Sequence, residues 1–159
     1  MGFEIALRGT HRGPERLRKD PFTGQDALHA ELEMSEEEHA AAKAVIAQHA
    51  ALDAGGDAFL AFTSADVEIW GFDLDGGMMK PIGDLREACT FFFEVATAGR
   101  LAIQFESPVA ETRAIVTTAE ALAQAESLDA AAHEELGRLV LAADSDALFR
   151  ELSPTHARS

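Results

Sequence analysis

Residues 83–117 read GDLREACTFFFEVATAGRLAIQFESPVAETRAIVT, and this stretch predicts one helix followed by two strands. Asp84 and Glu87 have the spacing of a capping box, which opens the predicted helix. The apolar residues of that helix share one face, and a glycine ends it. Leu101–Phe105 and Thr112–Thr117 follow, with the apolar residues typical of strands. The stretch therefore indicates a helix that packs against a sheet.

Five further strands and one further capped helix are predicted on the N-terminal side of this stretch. Ser35 and Glu38 form the second capping box, and the helix that they open is predicted over residues 36–52. The predicted strands are Phe3–Leu7, Leu28–Met34, Ala58–Thr63, Val67–Leu74 and Met78–Ile82. The third and fourth form a hairpin, and the two-sided apolar character of Phe59–Phe62 places it at the centre of the sheet. Trp70 lies in this hairpin and is expected in the core, because apolar residues flank it.

The fold class that these patterns predict is α+β, in one domain that spans residues 1–159. We expect a single mixed or mainly antiparallel sheet of about five or six strands, packed with about three to five helices that include 36–52 and 84–98. The C-terminal part is predicted to be helical over Ala119–Ala125, Leu128–Ala142 and Ser145–Leu152. Residues 9–26 contain Gly, Pro and a cluster of Arg, and they predict a long basic loop. Residues 153–159 are predicted to form a polar, frayed tail.

The chain is strongly acidic, and its charge is distributed unevenly along the sequence. The formal net charge is −15, from 28 acidic and 13 basic residues. Five of the basic residues, but only Glu4 and Glu15 among the acidic ones, lie in the first nineteen positions. A body this acidic repels nucleic acid and anionic membranes, and it attracts a cationic protein. We therefore expect a basic protein as the partner, with no nucleic acid and no membrane, and the oligomeric state stays open.

One short motif could support catalysis, but its context favours a turn. Asp73-Leu74-Asp75-Gly76 has the Asp-x-Asp spacing that serves phosphoryl transfer with Mg²⁺. Such a site needs a later Asp-Asp pair, which the chain lacks, whereas Asp-Gly and Gly-Gly are the residues that a hairpin turn requires. The six His residues show no zinc-ligand spacing, and the sequence has no phosphate loop or dinucleotide fingerprint. We expect no catalytic residue, no metal and no cofactor.

Several features of the sequence indicate the cytoplasm of a bacterium. The N-terminus has no basic segment followed by an apolar one, and no apolar run reaches the roughly 18 residues of a membrane span. Cys89 is the only cysteine, so an internal disulfide is excluded, and its place on an apolar helix face predicts a buried thiol. The chain has no Asn and no Tyr, and its ten Arg outnumber its three Lys, as in proteins from GC-rich genomes.

A hairpin, a helix and two strands follow one another in AFLAFTSADVEIWGFDL (58–74), GDLREACTFFFEVATAGR (83–100), LAIQFE (101–106) and RAIVTTAEAL (113–122). In this order of elements, over about a third of its length, the chain resembles the small acidic immunity proteins of bacterial toxin systems. The resemblance implies a single cytoplasmic domain without catalysis, with a toxin as its partner.

The predicted function is that of a non-catalytic acidic binding protein, in the form of an immunity protein that neutralises a cognate bacterial toxin. The candidate partner-binding residues are acidic side chains in or beside predicted turns, namely Asp66, Glu68, Asp73, Asp75, Glu106 and Glu111. Two alternatives stay open. One is a small enzyme with a dispersed active site, and the other is an adaptor or assembly subunit.

Overall fold

The computed structural model of the chain describes residues 4–19, 22–52, 59–62, 66–74, 77–106 and 111–152. Within these residues, five helices and ten strands are present, and the strands form three sheets. The α+β class is confirmed, whereas the prediction of a single sheet is wrong. Asp75 and the predicted tail at residues 153–159 lie outside the described residues.

The helices and strands have the following bounds. The helices are α1 (Glu36–His49), α2 (Leu85–Gly99), α3 (Ala119–Glu126), α4 (Ala130–Leu136) and α5 (Ser145–Leu152). The strands are β1 (Ala6–Arg8), β2 (His11–Lys19), β3 (Asp26–Glu33), β4 (Ala50–Leu52), β5 (Phe59–Phe62), β6 (Val67–Trp70), β7 (Lys80–Gly83), β8 (Ala102–Glu106), β9 (Thr112–Val116) and β10 (Arg138–Leu141).

Local capping explains where α1 and α2 begin. The amide of Glu38 donates to Oγ of Ser35 at 3.1 Å, and the amide of Ser35 donates to Oε1 of Glu38 at 3.0 Å. This reciprocal pair confirms the predicted capping box. At the start of α2, the side chain of Asp84 accepts hydrogen bonds from the amides of Arg86 and Glu87. Both helices therefore begin where unpaired amide groups find a nearby side-chain acceptor.

Two four-stranded sheets share the interior, and a two-stranded sheet is added to them. The first has the order β1-β8-β9-β10 and is antiparallel except for the parallel pair β9–β10. The second is the antiparallel meander β4-β5-β6-β7, in which β5 lies inside the sheet, as predicted. Ile5 and Met79 join the two sheets through a pair of backbone hydrogen bonds of 3.0 and 2.8 Å. The third sheet is the hairpin of β2 and β3.

The core lies around α2 and on both faces of β8 and β9. Phe91 and Phe92 of α2 are fully buried against residues of both four-stranded sheets and of α5. Ile103 and Ile115 face this cluster from β8 and β9. The opposite face of the same two strands forms a second cluster with α3 and α4, through Ala102, Ala114 and Val116. Because both faces are covered, these strands have apolar residues at successive positions.

The prediction of a long basic loop at residues 9–26 is wrong over most of that range, because His11–Lys19 forms β2. The strand pairs with β3, and its register is interrupted between Arg12 and Glu15. Gly13 and Pro14 fall in this interruption, where the missing amide hydrogen of proline removes no hydrogen bond of the ladder. Residues that predict a loop therefore mark a bulge inside a strand.

The prediction of a helix over 128–142 is wrong in its C-terminal part, because Arg138–Leu141 forms β10. Gly137 ends α4 with a φ of 88°, a conformation that favours glycine. A Cβ atom at Gly137 would collide with the carbonyl oxygen of Thr112, so the chain passes very close to β9 at this point. Arg138–Leu141 then pairs in parallel with Arg113–Val116. The predicted helix 36–52 is too long for a similar reason, since its last three residues form β4.

Candidate protein-binding surface

The outer face of β6 and β7 carries large apolar side chains beside an acidic one. The residues of β6 alternate, so Val67 and Ile69 are buried while Glu68 and Trp70 are exposed. Trp70 keeps 53% of its surface exposed, and Ile82 of β7 keeps 45%. Ile82 lies directly opposite Glu68 in the strand ladder, so the three exposed side chains share one patch. We call Glu68, Trp70 and Ile82 the β6–β7 face.

The expectation that Trp70 packs in the core is wrong, and sequence reasoning missed its place on this surface. Apolar neighbours along the chain suggested burial, but neighbours in a strand point to opposite faces. The alternation of the strand was the signal that could have identified it. Because Glu68 and Trp70 are two positions apart, an exposed Glu68 implies an exposed Trp70.

Asp66 lies at one end of the β6–β7 face and is held there by the backbone. Its carbonyl oxygen accepts a hydrogen bond of 2.7 Å from the amide of Asp84, the residue that caps α2. Gly83 lies beside it with a φ of 102°, and a Cβ atom there would collide with the same oxygen. This close approach fixes the start of β6 against the first turn of α2, and Asp66 itself is exposed.

Asp73 and Asp75 are the other acidic residues near β6 that the sequence predicts as partner-binding. Asp73 follows β6 and is half-buried, with its carboxylate against Gly77. Asp75 lies outside the described residues. Among the predicted residues of this sheet, the structure therefore brings together Asp66 and Glu68 as exposed acidic groups.

Glu106 and Glu111 lie in and beside the strands of the other four-stranded sheet. Glu106 is the last residue of β8, and Glu111 directly precedes β9, which pairs with β8. Glu111 forms ion pairs with Arg113 at 3.5 Å and with Arg138 at 3.7 Å. Its charge is therefore compensated by neighbouring guanidinium groups, unlike that of an acidic residue that awaits a partner.

A polar network that the sequence did not predict joins β2 to α1. The side chain of Glu38 is only 7% exposed, and its Oε1 atom lies 2.8 Å from Nε2 of His11. Its Oε2 atom lies 3.9 Å from the guanidinium of Arg100. Burial acts to raise the pKa of Glu38, whereas the hydrogen bonds from the amide of Ser35 and from His11 act to lower it. The hydrogen bonds have the larger effect, so the pKa of Glu38 is lowered. The capping-box spacing identifies Glu38 as a cap, but no local pattern identifies His11 as its partner.

A second polar cluster attaches β1 and β3 to α4. Nδ1 of His29 lies 2.6 Å from Oε1 of Glu135, and the guanidinium of Arg8 lies 3.9 Å from Oε2 of the same carboxylate. Arg8 also donates to Oε1 of Gln104 at 3.0 Å. Burial lowers the pKa of Arg8, although the carboxylate of Glu135 acts in the opposite direction. The two polar clusters together hold the base of the β2–β3 hairpin against the helices.

A cavity of about 320 Å³ lies between β3, α1 and the segment that follows β6. Its walls include the apolar residues Leu32, Met34 and Leu74 and the polar residues Glu31, Glu33 and His39. Glu31 is already paired with Arg18 at 2.8 Å. In the part of the chain that the structure describes, no group of three or more His, Cys, Asp and Glu residues could hold a metal ion. No helix of this part is both long and apolar enough to cross a membrane.

A comparison with protein-family models finds no matching family, and comparisons with curated proteins and with solved structures find no match.

Proposed function

We propose that the chain is a non-catalytic binding protein that blocks a basic partner protein through the β6–β7 face. More specifically, we propose that the chain is an immunity protein that neutralises a cognate bacterial toxin. The observation that carries it is the exposure of Trp70 beside Glu68 on a regular sheet face.

An exposed indole on an ordered strand is a costly feature for a protein that binds nothing. Burying a large apolar or aromatic side chain stabilises a protein by roughly 1.5–3 kcal/mol. Because Trp70 is about half exposed, the folded chain gains only part of that free energy. Tryptophan is also among the residues most enriched at the energetic centres of protein interfaces. Ile82 enlarges the apolar area next to it, and Glu68 borders that area. An apolar patch with a charged border is the arrangement that marks a protein-binding site.

The charge distribution supports a basic partner. The net charge of −15 steers cationic proteins toward the chain and raises the rate of encounter. Asp66 and Glu68 place negative charge at one end of the β6–β7 face. Lys80 lies opposite Trp70 at the other end. We therefore expect the partner's basic groups to dock toward Asp66, with an apolar contact on Trp70.

The test is co-expression with the product of the neighbouring gene, followed by a binding measurement with the purified pair. We expect the chain to protect cells from that product and to bind it directly in calorimetry. Trp70→Ala should weaken the affinity by about tenfold or more, which corresponds to about 1.4 kcal/mol. Leu141→Ala is the matched control, because Leu141 is 48% exposed on β10, in the other four-stranded sheet.

Charge reversal tests the acidic end of the surface separately. Asp66→Lys combined with Glu68→Lys should slow association by about tenfold at low salt and much less at high salt, because salt screens exposed charges. Glu37→Lys combined with Glu134→Lys is the control, since both residues are exposed on helices away from β6. The proposal fails if both pairs of reversals have equal effects, or if Trp70→Ala leaves affinity and protection unchanged.

The enzyme alternative is favoured by one observation, the contact between His11 and the buried carboxylate of Glu38. A carboxylate that orients an imidazole is an arrangement found in general-base catalysis. His11→Ala distinguishes the two functions, because it should abolish protection only if the chain acts chemically on its partner or on the partner's product. Under the adaptor alternative, the bound partner would keep its own activity.

A further inference from the structure

The cavity of about 320 Å³ between β3, α1 and the segment that follows β6 plays no part in the proposed function. Its volume is at the lower end of the range for small-molecule sites, which is about 300–1,000 Å³. Leu32, Met34 and Leu74 form its apolar part. Met34 and Leu74 pack in the core around α2, and Leu32 packs in the second core cluster, so this part of the wall is held in place by the fold. A preformed cavity with apolar walls is the usual form of a ligand site.

The polar part of the cavity wall is acidic. Glu31 and Glu33 are two residues apart in β3, so they share one face of the strand. The carboxylate of Glu31 is paired with Arg18 at 2.8 Å. In the described part of the chain, neither the carboxylate of Glu33 nor the imidazole of His39 has a hydrogen-bond or ion-pair partner. The wall therefore contains two polar groups that the fold itself does not use.

The charge and spacing of these groups favour an organic cation as the ligand. The described wall contains no Lys and no Arg, so an anion in the cavity would have no counter-charge there. Within the residues that the structure describes, Glu31, Glu33 and His39 do not form a group that could hold a metal ion. An alkylammonium group suits the wall better, because its three N–H groups donate to separate acceptors and its alkyl chain contacts apolar side chains.

We propose that this cavity binds an alkylammonium group, which is a protonated amine on a short aliphatic chain. The ammonium group pairs with the carboxylate of Glu33 and donates to the imidazole of His39. The alkyl chain contacts Leu32, Met34 and Leu74. Glu33 is exposed, so the ligand reaches it from solvent. The cavity shares no residue with the β6–β7 face, so the site is tested independently of the proposed function.

A titration of the full chain with n-butylammonium chloride, followed by methyl NMR spectra at constant ionic strength, tests the site. We expect a dissociation constant on the order of 1 mM, as for a ligand of few atoms. The methyl signals of Leu32, Met34 and Leu74 should shift along one saturation curve. Those of Leu141, on β10 in another sheet, should not move.

The ligand 1-butanol has the same alkyl chain without the charge, so it measures the contribution of the ammonium group. We expect it to bind about tenfold more weakly or less, because it cannot form the charge-assisted bond to Glu33. The proposal is overturned if n-butylammonium causes no saturable shift of the cavity signals, or if 1-butanol binds with equal affinity.

Two matched variants separate the site from the general negative charge of the chain. Glu33→Gln keeps the size of the side chain and removes its charge, and it should weaken n-butylammonium binding by about tenfold. Glu37→Gln removes the same charge at an exposed position of α1 that does not line the cavity, and it should have little effect. Both positions are exposed, so circular dichroism should show folded protein in each case. Equal effects of the two variants would mean that net charge alone attracts the amine, and the site would be rejected.

Two sources supply an alkylammonium group, namely a free amine and the lysine side chain of a peptide. N-acetyl-lysine methylamide carries the same group on a peptide backbone and is the second probe. Tighter binding of n-butylammonium identifies a free amine as the source, and tighter binding of the lysine amide identifies a lysine side chain. Both results support the cation site, whereas binding of neither probe overturns it.

Discussion

Oε1 of Glu38 lies 2.8 Å from Nε2 of His11, so the first residue of β2 is joined to the first turn of α1. The same carboxylate caps α1 through the amide of Ser35. One nearly buried side chain thus begins a helix and holds the base of the β2–β3 hairpin. Because the charge of Glu38 is compensated by hydrogen bonds, its ionised form is the one that the fold stabilises.

This relationship predicts a pH dependence of stability. The folded pKa of Glu38 is lowered, so its contribution is complete above the unfolded value of about 4.3 and is lost as pH falls through the lower folded value. Glu38→Gln should reduce the free energy of unfolding by about 1–2 kcal/mol at pH 7, and this difference should shrink below about pH 4. Urea unfolding at a series of pH values measures the loss of unfolding free energy at pH 7 and its decrease at low pH. Glu37→Gln, at an exposed position of the same turn, should show little of either effect.

Two neighbouring residues of β6 should differ in how much stability their truncation costs. Ile69→Ala removes a fully buried side chain and should cost about 2–5 kcal/mol of unfolding free energy. Trp70→Ala removes a larger side chain on the exposed face, and we expect it to cost about 1 kcal/mol or less. Chemical denaturation followed by circular dichroism compares the two. A larger loss from Trp70→Ala than from Ile69→Ala would contradict the assignment of Trp70 to a binding surface.

The thiol of Cys89 should be unreactive in the folded protein. Cys89 is fully buried, and burial raises its pKa to about 12, so almost no thiolate is present at pH 8. A thiol reagent such as Ellman's reagent should therefore label the protein only as fast as it unfolds. Complete labelling in denaturant is the control, and rapid labelling without denaturant would show that the core around α2 opens locally.

A glycine sets the position of Asp66, and its replacement should be costly. Gly83→Ala adds a Cβ atom that collides with the carbonyl oxygen of Asp66, at a φ of 102° that favours glycine. We expect a loss of about 1–3 kcal/mol, with weaker partner binding as Asp66 moves. Gly24→Ala is the control, because Gly24 has a φ of 71° but no atom within 4 Å of the added Cβ. Gly24→Ala should therefore lose less stability, about 1 kcal/mol. Thermal unfolding of the two variants measures the difference.

The sequence by itself determined the elements that depend on neighbours along the chain. The caps at Ser35 and Asp84, the burial of Cys89 and the hairpin of β5 and β6 all follow from residues a few positions apart. Hydrogen bonds to helix caps and the alternation of strand residues are local interactions, so a local pattern is enough to predict them.

Only the tertiary structure decided which strands pair and which side chains meet across the fold. β2 exists because β3 pairs with it around a bulge at Gly13-Pro14, and β10 exists because β9 offers a parallel edge just after Gly137. The contact of His11 with Glu38 depends on that same pairing. The physical reason is that a strand's hydrogen bonds and the side-chain contacts between elements depend on residues distant in the chain. No local propensity contains that information.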